Sequence, residues 1–69
     1  MRISARNKLP GRVEKITRGA ATANVTVAAA GMTMTAAITV DSVEELGITE
    51  GSDVLVIIKA SDVMLAVND

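Results

Sequence analysis

Apolar residues in this chain recur mainly at every second position, the spacing of strands with one buried face. The clearest run covers 20–29, where Ala21, Ala23, Val25, Val27 and Ala29 alternate with Thr22, Asn24 and Thr26. After Gly31, Met32, Met34, Ala36, Ile38 and Val40 alternate with Thr33, Thr35, Ala37 and Thr39. Together they predict a hairpin over 20–29 and 32–40 that turns near Gly31, with Thr39 facing away from Ile38 and Val40. Upstream, 11–18 mixes charge with Val13 and Ile16 out of strict alternation. That irregularity predicts a strand with a bulge or an exposed edge, and Gly19 allows the turn that follows it.

The period changes over 41–47. Ser42 followed by Glu45 forms a capping-box pattern, acidic residues occupy the first turn, and Gly47 stands where a left-handed residue would end a helix. One short helical turn is predicted there. Two further strands are predicted downstream, over 53–59 and 63–67. Val54, Leu55, Val56, Ile57 and Ile58 follow one another without a polar break, and so do Val63, Met64, Leu65, Ala66 and Val67. Unbroken apolar runs read as strands buried on both faces, yet a chain of 69 residues has too little material to cover both twice. The second apolar face therefore predicts contact with another subunit. The expected fold is all-β: a small, partly open, five-stranded, OB-like Greek-key barrel with one short helical turn, in one domain spanning 1–69.

Composition strengthens the expectation of an oligomer. A chain this short is marginal alone unless stapled, and it has no Cys for disulfides. With neither Cys nor His, a structural zinc site is not expected either. Aromatic residues are absent while 49% of the chain is hydrophobic, so the core must use smaller aliphatic side chains. Met32, Met34 and Met64 sit on apolar faces and read as core filler, not as metal or redox ligands. Lys and Arg total 7 against 8 Asp and Glu, which argues against a broad basic surface for nucleic acid. No apolar run approaches the roughly 20 residues of a membrane span and no signal-type segment opens the chain, so a cytoplasmic protein is expected.

Candidate chemistry concentrates at the start. Residues 3–11 bring together Ser4, Arg6, Asn7 and Lys8 before Pro10 and Gly11. A deprotonated tetrahedral oxyanion offers only acceptors, so its site should offer only donors, and this segment can supply hydroxyl, guanidinium, amide, ammonium and backbone N–H groups. The competing interpretation is a frayed, solvated arm. A catalytic role is not expected, because no nucleophile and base can be paired. An OB-type nucleic-acid module is the alternative from another class, but it lacks stacking aromatics and net positive charge.

Three stretches carry a resemblance. Ile3-Ser4-Ala5-Arg6-Asn7 with Leu9 and Gly11 is the first; Ile38-Thr39 with Ser42-Val43-Glu44-Glu45-Leu46-Gly47 is the second; Ile58-Lys59-Ala60-Ser61-Asp62-Val63 is the third. In this order and spacing they resemble the Mop family, the single-domain molbindins that bind molybdate and tungstate. The resemblance implies a non-covalent ligand and no cofactor, with molybdenum bound as an oxyanion and not as a cation. It implies a site between subunits, with Ser4, the Ala5 N–H and Arg6 of one chain facing Thr39, Ser42, Lys59 and the Ala60 backbone of a neighbour. Asn7 and Ser61 are secondary candidates, Asn7 being better suited to holding its own segment. Ser42 reads equally well as a simple cap, Lys59 otherwise reads as a surface lysine, and Arg6 either contacts or orients. Lys8 adds positive charge beside the motif. The family implies a hexamer, a trimer of dimers, with intracellular storage and homeostasis as its role; sensing or delivery to a protein partner is the nearer alternative.

Overall fold

The alternating run at Ala23, Val25, Val27 and Ala29 forms the floor of the core, each of these residues being less than 5% exposed. The computed structural model describes residues 1–68, in the order β1 (Asn7–Arg18), β2 (Thr22–Ala29), β3 (Met32–Thr39), α1 (Val40–Leu46), β4 (Asp53–Ile58) and a 3₁₀ turn (Ala60–Asp62). All pairings are antiparallel and the sheet order is β3-β2-β1-β4. Three hairpin-connected strands with a fourth returning beside the first make a Greek key. The β2–β3 hairpin closes Ala29 on Met32 through Ala30 and Gly31, both at positive φ, as a tight two-residue turn requires.

The broken period of β1 has a structural cause. Its register on β2 shifts between Val13 and Lys15, so Glu14 is the extra residue of a bulge and Val13 and Ile16 both turn inward. Val13 is 2% exposed. Its backbone leaves the β2 ladder at this point to exchange bonds with the loop before β4, donating to the Ser52 carbonyl at 2.9 Å and accepting from the Gly51 N–H at 2.8 Å. This junction lets the first half of β1 pair with β4 and the second half with β2.

The helix begins earlier than the sequence suggests. Thr39, not Ser42, is the cap: its Oγ1 accepts from the Ser42 N–H at 3.0 Å, and Ser42 lies inside the first turn. Val40 is already helical because its N–H is held by the Ala21 carbonyl at 2.9 Å and because Val43, three residues on, fills the core. Gly47 ends the helix at φ 65°. Its N–H reaches the Glu44 carbonyl and that of Ile48 reaches Val43, both at 3.1 Å, which closes a Schellman motif.

One expectation about strands is corrected. Among the described residues there are four strands in an unclosed sheet, not the five of the expected barrel: 63–67 pairs with nothing, because the 3₁₀ turn Ala60–Asp62 leads it away from the sheet. As expected of so short a chain, β4 is buried on one face only by its own chain. Val54 and Val56 pack on the core, whereas Leu55 and Ile57 stay 39% and 36% exposed. Among the described residues no helix is long and apolar enough to cross a membrane.

Candidate functional site

The donor-rich opening is anchored, so it is not a frayed arm. Ala5 is buried at 8% exposure, and Asn7 donates its Nδ2 to the Ile58 carbonyl at 3.2 Å. Asn7 therefore serves the segment's own structure. Because Asn7 and Ile58 are register partners, Arg6 and Lys59 are the next residues beyond the same pair. Ser4, Ala5 and Arg6 thus share one end of the sheet with Lys59, Ala60 and Ser61.

This end is rich in uncommitted donors. Among the described residues the one ion pair is Arg12 with Asp53 at 3.3 Å, both largely exposed. Neither Arg6 nor Lys59 has an ion-pair partner among those residues, and Ser4, Arg6 and Lys59 are exposed. Lys59 precedes the 3₁₀ turn and its carbonyl accepts from the Asp62 N–H at 2.9 Å. The first N–H groups of such a turn, those of Ala60 and Ser61, have no acceptor within it.

Thr39 and Ser42 sit elsewhere. Thr39 pairs with Thr22, near the Arg18 end of β1, whereas Lys59 lies beyond the Asn7 end. The intervening strand has 12 residues, roughly 36 to 40 Å along its path. One chain therefore brings Ser4, Ala5 and Arg6 together with Lys59 and Ala60, and Thr39 together with Ser42, as two separate groups. Within the second group, Thr39 donates its hydroxyl proton to Ser42 Oγ at 2.7 Å. That commits Thr39 and leaves the Ser42 proton free to point outward, polarised by the bond it accepts. Sequence reasoning missed the capping role of Thr39, since Ser42-x-x-Glu45 matches the capping pattern more visibly than Thr39-x-x-Ser42. No group of three His, Cys, Asp or Glu suited to a cation occurs among the described residues.

Comparison with known proteins places this geometry in context. The family model of the TOBE domain matches residues 3–65. Molybdenum-pterin-binding protein 1 of Clostridium pasteurianum is 47% identical over 66 residues, covering 94% of this chain and 97% of that protein. Among solved structures, MopII from Clostridium pasteurianum superposes with a TM-score of 0.89 at 43% identity, over 96% of this chain and 100% of its own. The cytoplasmic molybdate-binding protein ModG, in a form with molybdate bound, superposes with a TM-score of 0.93 at 43% identity, over 99% of this chain and 49% of its own.

Proposed function

Because this chain belongs to the TOBE-domain family, and within it to the molybdenum-pterin-binding (Mop) proteins, we propose that it binds molybdate or tungstate, reversibly and without covalent chemistry. The observation that carries this reading is the anchored end of the sheet, where the exposed Arg6 and Lys59 stand with Ser4 and the N–H groups of Ala5 and Ala60. Thr39 and Ser42 lie at the opposite end of the sheet, which supports a site completed between copies. There Ser42 supplies a hydroxyl proton and Thr39 holds Ser42 in place. The chain acts as one domain over 1–69 in a cytoplasmic hexamer, and its role is storage and homeostasis of the anion.

Hydrogen bonds to charged groups contribute roughly 1.5 to 3 kcal/mol each, so several converging on one dianion outweigh its dehydration and reach about micromolar affinity. A pocket of donors has no acceptor for the proton of hydrogen phosphate, so phosphate is penalised. Sulfate carries no proton and is rejected by its smaller size. Equilibrium dialysis with elemental analysis is expected to show uptake of molybdate and tungstate, with sulfate and phosphate left behind at the same concentration. Equal uptake of all four would defeat the proposal. Native mass spectrometry at micromolar protein is expected to show six chains, and a predominant monomer would remove the intersubunit site.

A further inference from the structure

Six of the seven Lys and Arg residues lie within 1–18, accompanied there by a single acid, Glu14. Positive charge is therefore concentrated along β1, although the chain as a whole carries a net charge of only -1. Arg12 is committed to Asp53 at 3.3 Å. Lys8 is not: among the described residues it has no ion-pair partner, and it is exposed.

Strand register places Lys8 beside the candidate anion site. Leu9 and its partner Val56 pack on the core, so Lys8 and its partner Ile57 take the outer face of the sheet. Lys59 follows two residues after Ile57, and its extended backbone, with φ -64° and ψ 134°, keeps it on that face. Lys8 is thus the diagonal neighbour of Lys59, at a Cβ separation of about 7 to 8 Å. Arg6 precedes Lys8 by two residues and stands next to Lys59, beyond the Asn7–Ile58 pair. Three cations share this corner, and Asp62 of the adjoining 3₁₀ turn forms an ion pair with none of them. Like charges placed so closely destabilise one another. A bound dianion relieves that repulsion.

We propose that Lys8 sets the charge selectivity of the oxyanion site: standing beside the anion without touching it, Lys8 favours dianions over monoanions of the same shape. Hydroxyl and N–H groups in contact with the oxygens of a tetrahedral anion read where those oxygens are. A cation held at a distance reads only charge. At about 8 Å, with the full dielectric of water and the ~30 Å screening length of 10 mM salt, one positive charge favours a monoanion about 2-fold and a dianion about 4-fold. At 150 mM salt the dianion advantage falls to about 2-fold.

The role given to Lys8 rests on molybdate or tungstate being the ligand, so wild-type uptake of tungstate is measured first. Its absence would defeat the ligand and this role together, whereas every later result bears on Lys8 alone. Tungstate and perrhenate are tetrahedral oxyanions of nearly equal size that carry two charges and one. Their affinities for the full-length protein are compared by isothermal titration, perrhenate by displacement of tungstate. Lys8→Glu reverses the charge, and is expected to weaken tungstate about 15-fold and perrhenate about 4-fold at 10 mM salt, the tungstate loss shrinking to about 4-fold at 150 mM. Lys8→Gln only removes the charge, and is expected to cost about 4-fold and 2-fold at 10 mM. Lys8→Arg is expected to bind both anions as the wild type does. Equal fold losses on the two anions, a tungstate loss that ignores salt, or a loss in Lys8→Arg as large as in Lys8→Gln would make Lys8 a contact or structural residue. Wild-type tungstate affinity in Lys8→Glu would remove it from the site, and each of these results overturns the proposal.

Discussion

Replacing Lys59 with Ala is expected to weaken molybdate binding about 10- to 150-fold, the loss of one charge-assisted hydrogen bond of roughly 1.5 to 3 kcal/mol. Lys59 is exposed and follows the last residue of β4, so its truncation removes no core contact and leaves the native mass of the assembly unchanged. Arg6→Ala is expected to act in the same direction, more weakly if its guanidinium orients the site without touching the anion. Isothermal titration at two ionic strengths reads both effects, because the wild-type affinity falls with salt more steeply than that of either variant. Wild-type affinity in both variants would move the site away from this end of the sheet.

Gly11→Ala is expected to lower the melting temperature by about 5 to 15 °C, from a net cost of roughly 1 to 2 kcal/mol at 4 to 8 °C per kcal/mol. A Cβ at Gly11 would lie 2.7 Å from Val27 Cγ1, 2.9 Å from the Ala28 carbonyl oxygen and 3.1 Å from Ala29 Cβ. Val27 is 3% exposed and has little room to turn, and a carbonyl oxygen in a ladder cannot yield without moving the strand. The intrinsic gain of Ala over Gly in a strand, about 0.5 to 1 kcal/mol, offsets part of that overpacking. Gly11 is also where β1 first meets both neighbours, pairing with Ala29 and Val54, so the strain falls on the crossing that joins the two halves of the sheet. Circular dichroism melts at equal protein concentration measure the shift, since assembly makes the melting temperature concentration-dependent. An unchanged melt would mean that β1 and β2 do not approach this closely.

What was legible in the chain depended on whether the signal was local. Alternation marked β2 and β3, Gly31 marked their turn and Gly47 the end of α1. The missed cap illustrates the limit: the choice between Thr39 and Ser42 turned on the bond from the Val40 N–H to Ala21, a partner far away in sequence. The same holds for Glu14, whose bulge needs Gly51 and Ser52 to occupy the backbone of Val13. The broken period announced an irregularity, but its form depended on a loop some forty residues downstream.

The donor set at the candidate site was likewise visible as residue types, whereas its grouping was not. By itself the sequence determined that the core is aliphatic, that one face of each hairpin strand is polar, and that the opening segment offers donors. It determined as well that 63–67 is too apolar to remain in water. Those properties follow from side-chain chemistry and from periods of two or 3.6, which neighbouring residues define among themselves. Only the tertiary structure decided that Asn7 ties the opening segment to Ile58, that Lys59 therefore stands beside Arg6, and that Thr39 and Ser42 lie at the far end of a long β1. It alone decided that the last apolar run leaves its own sheet. These outcomes depend on which strand lies against which and in what register, and register is settled by packing across the whole chain.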